Sequence, residues 1–194
     1  MRINKLLSNY GICSRTGANK LIEENRIIVN GLLCMKGQWV EEEDNILLDN
    51  ENILMKDKIY IVLNKPVGIT CTAEKKVASN IIDFMNYPEY IFPVGRLDKP
   101  SQGLILMTND GELANNILES KNEHEKEYIV TLNKSYDDIF IEGMSKGVQI
   151  CGIKTKPCIV SRISGNTFQI ILTQGLNKQI RRMSKTFGYT VVRL

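Results

Sequence analysis

A single histidine, His124, and five scattered cysteines leave little from which to build a metal site. The cysteines stand at 13, 34, 71, 151 and 158, an odd number with no close pair. A disulfide framework and a Cys/His zinc site are both disfavoured, and a reducing compartment fits best. Long apolar runs are missing too. The opening "MRINKLLSNYG" is interrupted by Asn4, Lys5, Ser8 and Asn9 where a signal peptide needs an apolar core, and no later run approaches membrane-spanning length. A cytoplasmic protein without a membrane partner is expected. Internal repeats and low-complexity stretches are absent as well. Acids vanish from residues 161–194, which carry Arg162, Lys178, Arg181, Arg182, Lys185 and Arg193.

What is present describes a packed globular chain. Its 194 residues, 43% apolar and 24% charged, suffice for one large domain or for a small one plus a medium one. The net charge of +3 hides an uneven distribution. Residues 1–40 set six basic side chains (Arg2, Lys5, Arg15, Lys20, Arg26, Lys36) against Glu23 and Glu24, while "EEEDNILLDNE" gathers six acids in eleven residues. Basic ends around an acidic middle suit a polyanion such as nucleic acid. Taken alone, such runs are more often solvated helix faces.

Ile3, Leu6, Leu7 and Tyr10 fall at helical spacing, and Gly11 can end that helix. Ser14 can cap a second one, "RTGANKLIEEN". "RIIVNGLLC" reads as two strands joined at Asn30-Gly31, and "NILLD" as a third. The chain thus divides into a small ααβββ module over 1–50, a polar linker over 51–58 and a larger region over 59–194. The larger region holds strands "IYIVLNK", "GLILMT", "KEYIVTL", "CIVSRI" and "TFQIILT". Helices are expected over 79–86, 112–119, 136–144 and 178–187. Without regular βαβ alternation, the fold class is α+β with a mixed or antiparallel sheet. Trp39 is expected to pack inside.

The stretch "FPVGRLDKPSQGLILMTNDGEL" places one carboxylate, Asp98, between Arg96 and Lys99. Basic neighbours favour its ionised form, which suits a nucleophile, base or electrostatic stabiliser better than a general acid. Pro100 disfavours the helical conformation at Lys99, so the segment is a shaped loop. On residues alone, an aspartate paired to an arginine in a turn is the commoner case, and Tyr128 in "KEYIVTL" reads as strand packing. In the last helix Ile180, Met183 and Phe187 form a buried stripe, with Lys178, Arg181 and Lys185 on a neighbouring face and Arg182 elsewhere.

Two resemblances go further. "RINKLLSNYGICSRTGANKLIEENRIIVNG" resembles the RNA-binding motif named after small-subunit ribosomal protein four, matching at Gly11, Cys13, Ser14, Arg15, Ala18, Ile22, Val29, Asn30 and Gly31. The likeness implies an RNA-gripping surface with Arg2, Lys5, Arg15, Lys20 and Arg26 as contacts, and a packing role for Cys13. "VGRLDKPSQGLILMTNDGELANNIL" resembles the signature of RNA pseudouridine synthases, joined in order by "IVLNKPVGITCT", "HEKEYIVTL" and "LTQGLNKQIRRM".

That resemblance implies an isomerase with Asp98, Tyr128 and Arg181 as catalytic residues. Arg96, Lys99, Gln102, Lys126, Lys178, Gln179 and Arg182 would then bind substrate. Neither a cofactor nor a metal is implied, because leaving group and nucleophile are the same uracil. "GRLDKxSQGL", "TNxG" and "NxHEKEY" are most similar to the RluF type, which implies large-subunit (23S) ribosomal RNA or an assembling particle as partner; the sister RsuA type acts on the small subunit. These enzymes usually continue past "GYTVVRL" with a further basic strand. Nothing requires more than a monomer. Whether Asp98 attacks sugar or base, or removes a ribose proton, stays open. A non-catalytic RNA- or ribosome-binding protein is the alternative. A glycosidase would need a partner carboxylate, and Asp110 or Glu112 in "TNDGE" is better explained by turn chemistry.

Overall fold

The structure is a computed structural model that describes residues 1–41 and 43–194. Of the acidic stretch 41–51, Glu42 lies outside the described residues. The chain forms two compact units, one of Met1–Leu63, Cys71–Arg96 and Leu104–Asn115, the other of Asn64–Thr70, Leu97–Gly103 and Asn116–Leu194.

The first unit begins with helices α1 (Ile3–Asn9) and α2 (Arg15–Glu23). Ser14 caps α2 as its sequence position suggests, its Oγ accepting from the Gly17 N–H at 2.9 Å. Strands β1 (Ile27–Val29), β2 (Leu32–Leu33), β3 (Ile46–Leu48) and β4 (Glu51–Asn52) make a sheet in the order β2-β1-β3-β4. Asn30 and Gly31 close the β1–β2 hairpin, both at positive φ, where glycine is at ease and asparagine tolerated. The fourth strand falls at the start of the stretch read as a linker. Asp49 and Asn50 both take positive φ and turn the chain back, a tight hairpin without the glycine that would have signalled it. Ile3, Leu6, Leu7, Ala18, Ile22, Ile27 and Val29 form a buried core, with Cys13 packed at its edge. Each large aliphatic there contributes roughly 1.5–3 kcal/mol. Trp39 is not part of it: 72% of its surface is exposed, and its backbone bridges to Arg2.

Strand β5 (Tyr60–Lys65), helix α3 (Ile81–Met85), and strands β6 (Phe92–Val94) and β7 (Gly103–Thr108) follow, with sheet order β5-β7-β6. Helix α4 (Gly111–Leu118) starts at Asp110, whose Oδ1 accepts from the Glu112 and Leu113 N–H groups. That is the turn chemistry expected of "TNDG", and it occupies the carboxylate a glycosidase would have needed.

The second unit is built on β8 (Lys126–Leu132), helix α5 (Asp138–Ser145), β9 (Gln149–Ile150), β10 (Ile153–Lys154), β11 (Ile159–Arg162), β12 (Thr167–Leu172), helix α6 (Gln179–Thr186) and β13 (Val191–Arg193). Its four-stranded antiparallel sheet runs β11-β12-β8-β13. Alternation along β8 and β12 turns Val130, Leu132, Phe168, Ile170 and Leu172 inward, where Phe140, Met144, Ile180 and Met183 cover them. Phe187 joins this core partly buried, as the helix period suggests. The fold is therefore the expected α+β type, with antiparallel pairing throughout the β2-β1-β3-β4 and β11-β12-β8-β13 sheets, between β9 and β10, and between β6 and β7.

Candidate active site

Three segments of the second unit converge around Asp98: the loop 64–70, the loop 97–103 and the region from Tyr128 to the chain's end. The Asp98 loop is closed on itself by the Ser101 N–H, which donates to the Asp98 carbonyl at 2.9 Å. The Gly68 N–H donates to the Lys99 carbonyl at 2.8 Å, and the Gln102 N–H to the Leu194 carbonyl at 2.9 Å. Its backbone is thus held from two sides.

Arg181, on the first turn of α6, holds the loop from a third. Its Nη1 donates to the Val191 carbonyl at 3.0 Å, and its Nη2 to the Pro100 carbonyl at 3.2 Å and the Ser101 Oγ at 3.1 Å. The remaining nitrogen, Nε, is buried without a hydrogen bond and lies 3.9 Å from Asp98 Oδ2. This is an ion pair beyond hydrogen-bond reach, because the fork of the guanidinium is committed to backbone and serine. Arg96 and Lys99, the sequence neighbours expected to keep Asp98 charged, point to solvent.

Strand alternation puts Tyr128 on the inner face of β8, across from Ile170. Burial pushes its phenol above the ordinary value of 10, and the nearby Asp98 charge adds to the rise. Tyr128 therefore stands beside the carboxylate as a neutral hydroxyl.

The other candidate positions are distributed unevenly. Lys126 is half-buried and donates to the His124 carbonyl at 3.1 Å, and Gln102 is exposed. Gln179 is buried, with Oε1 accepting from the Leu176 N–H at 2.9 Å and Nε2 donating to Gln174, so it braces the turn before α6. Lys178 is the N-cap residue of α6 at a φ of 51°, outside the helix proper. Arg182 donates to Asn177 Oδ1 at 2.8 Å and touches Cys151 at the β9–β10 turn, sharing none of the partners of Arg181. Lys178, Arg182 and Lys185 follow at helical spacing, and Lys154 lies on the hairpin that Arg182 reaches. No acid follows Glu142 in the chain. Ion pairs take Lys146, Lys156, Arg162 and Arg181 from this segment, whereas these four cations have none among the described residues.

In the N-terminal module Arg2, Lys5 and Arg15 are exposed. Lys20 pairs with Glu24 at 3.7 Å, and Arg26 grips Asp49 with Nε at 2.8 Å and Nη2 at 2.6 Å.

Two residues that shape the site went unassigned in the sequence. Lys65 is fully buried, its Nζ donating to the Pro66 and Ile69 carbonyls at 2.8 Å each. A lysine ending an amphipathic strand just before proline was the available signal. Ser101, also buried, receives Arg181, and only its place in the loop hinted at it.

A carboxylate with its backbone fixed thus has an arginine behind it and a half-buried tyrosine beside it. Comparison with known proteins identifies the class. The RNA pseudouridylate synthase family matches residues 59–186, and the S4 domain matches residues 1–46. The chain belongs to the RNA pseudouridylate synthases, isomerases that act on RNA.

Among individual relatives, it is 47% identical to the dual-specificity RNA pseudouridine synthase RluF of Escherichia coli (strain K12) over 197 residues, covering 100% of this chain and 68% of the relative. It is 30% identical to the ribosomal large subunit pseudouridine synthase B of Bacillus subtilis (strain 168), covering 83% of that protein. A solved pseudouridylate synthase crystal structure superposes with a TM-score of 0.70 at 26% identity, over 100% of this chain and 86% of the other.

Proposed function

We propose that this protein converts a uridine of ribosomal RNA, in the 23S molecule of the large subunit, to pseudouridine. The observation that carries the reading is the setting of Asp98: fixed in backbone, paired with Arg181 Nε at 3.9 Å, and with no side-chain hydrogen bond among the described residues. The names of the relatives, one a large-subunit enzyme and one of the RluF type, support the choice of RNA.

The chemistry needs little else. The N1–C1′ bond of uridine breaks, the uracil turns, and a C5–C1′ bond forms; carbon 5 loses a proton and N1 carries one at the end. Product and substrate are isomers, so no electrons are exchanged and no cofactor enters. Asp98 is the carboxylate that engages the nucleoside, and Arg181 orients it. Tyr128 offers its ring to the flipped base and its neutral hydroxyl as a relay for the proton leaving carbon 5.

Residues 1–50 serve as the RNA-binding module, joined through 51–58 to the catalytic region 59–194. Arg2, Lys5 and Arg15 meet phosphate, as do Lys178 and Arg182, while Arg96, Lys99, Gln102 and Lys126 line the approach. Gln179 contributes by holding the turn ahead of α6. The chain works as a monomer in the cytoplasm; among the described residues no helix is long and apolar enough to cross a membrane.

Pseudouridine mapping of ribosomal RNA incubated with wild type or with Asp98→Ala tests this. A new site in large-subunit RNA with wild type alone supports it. Identical maps, with both proteins still binding RNA, would leave the non-catalytic binding protein in its place.

A further inference from the structure

The joint between the N-terminal module and the synthase segment, 51–58, reads from composition as a linker. Within the first unit it is instead bonded on both sides. Asn109, 1% exposed, directly follows β7 in the chain. Its Nδ2 donates to the Asp57 carbonyl at 2.8 Å and its Oδ1 accepts from the Ile59 N–H at 2.9 Å. The same amide packs on Gly11, where a Cβ would sit 2.9 Å from Asn109 Nδ2 and 3.4 Å from Lys56 Cβ.

Around this contact the Lys56 N–H donates to the Tyr10 carbonyl at 3.0 Å, and Lys58 Nζ to the Asn9 carbonyl at 3.2 Å. A Cβ at Gly111 would meet Asn9 Oδ1 at 3.4 Å. Lys56 Nζ lies 3.6 Å from Glu89. The end of α1 is therefore gripped by residues 56–58 and 109–111. At the centre is one buried amide with both functions satisfied, which fixes its rotamer.

We propose that Asn109 is a positioning residue for target selection. It clamps the RNA-gripping module to residues 56–59 and 109–111 of its own compact unit, so that an RNA held by the module meets the neighbouring surface of that unit in one arrangement. The proposal rests on the function proposed above. Two binding surfaces joined stiffly on one RNA reinforce each other at the matching spacing and oppose every other; a loose joint weakens the first effect and removes the second.

The test uses the full chain carrying Asn109→Ala, with Lys58→Ala as a second variant that opens no cavity at the amide and stands in should the first not fold. Hydrogen exchange at residues 53–59 should quicken in both. With a short stem-loop containing the mapped uridine, kcat should stay within about twofold of wild type; with transcribed 23S RNA, KM should rise about tenfold and further uridines should become modified. A joint loosened by exchange with KM and site choice unchanged overturns the proposal. So does an equal loss of turnover on the stem-loop, which would put Asn109 in the service of the reaction itself. Should wild type convert no uridine, the functional reading fails and hydroxyl-radical footprinting on 23S RNA decides the clamp. One fixed protected stretch that becomes split or variable in the variants supports it, and an unchanged footprint overturns it.

Discussion

The N-terminal module and the reaction centre each contain an arginine–aspartate pair, and the two are built in opposite ways. Arg26 turns its fork on Asp49, at 2.8 and 2.6 Å, on the open surface. Both partners move away from neutrality: the hydrogen bond to Asp49 raises the guanidinium, and the same bond lowers the Asp49 carboxyl. Arg181 gives its fork to Val191, Pro100 and Ser101 and faces Asp98 only through Nε. Asp49 is saturated by its arginine. Asp98, the aspartate proposed for chemistry, is held in place by its backbone and accepts no side-chain hydrogen bond among the described residues.

The largest break in that contrast is Asp98→Asn, which keeps the shape and removes the charge. Pseudouridine formation should fall by at least about 10³-fold, while the urea midpoint stays near wild type. Arg181→Lys keeps the charge and loses the fork. Unpaired carbonyls at Pro100 and Val191 should lower kcat by roughly 10²-fold, visible in single-turnover rates, and cost about 1–3 kcal/mol in urea unfolding.

Lys65→Met sharpens the comparison from the side of the other loop. Two carbonyls lose their donor, and denaturant unfolding should report about 2–4 kcal/mol of destabilisation. The smallest effect concerns Tyr128, whose folded-state pKa is raised by burial and then by Asp98. Its contribution to stability is complete below the unfolded value of about 10 and is lost as pH rises through the higher folded value. Melting temperatures of Tyr128→Phe should therefore fall less steeply than wild type through that alkaline window.

Elements with a strong period were legible in the sequence. "KEYIVTL" marks β8 to the residue, Ser14 announces α2, and Asn30-Gly31 announces its hairpin. The hairpins at Asp49-Asn50 and Cys151-Gly152 were not, because β4, β9 and β10 are two residues long and carry no alternation to read. In the site, a family resemblance could mark Asp98, Tyr128 and Arg181. It could not say that Arg181 would commit its terminal nitrogens to backbone, since that depends on where Val191 and Pro100 arrive in space. Lys65 escaped for a similar reason: a lysine closing an apolar strand before proline hints at a special place, but which carbonyls receive it depends on how residues 66–69 turn. Trp39 erred the other way, an aromatic assumed to be core and found in solvent.

The acid-free stretch after Glu142 carries one more consequence. Lys154, Lys178, Arg182 and Lys185, without carboxylate partners among the described residues, would make the proposed grip on RNA a function of ionic strength. Four cations each displacing a counterion from a single strand give a log–log slope of about −2.8, so doubling the salt would weaken binding roughly sevenfold. A surface built this way works on RNA whose charge is still bare, and loses its hold as other ions and proteins come to cover it.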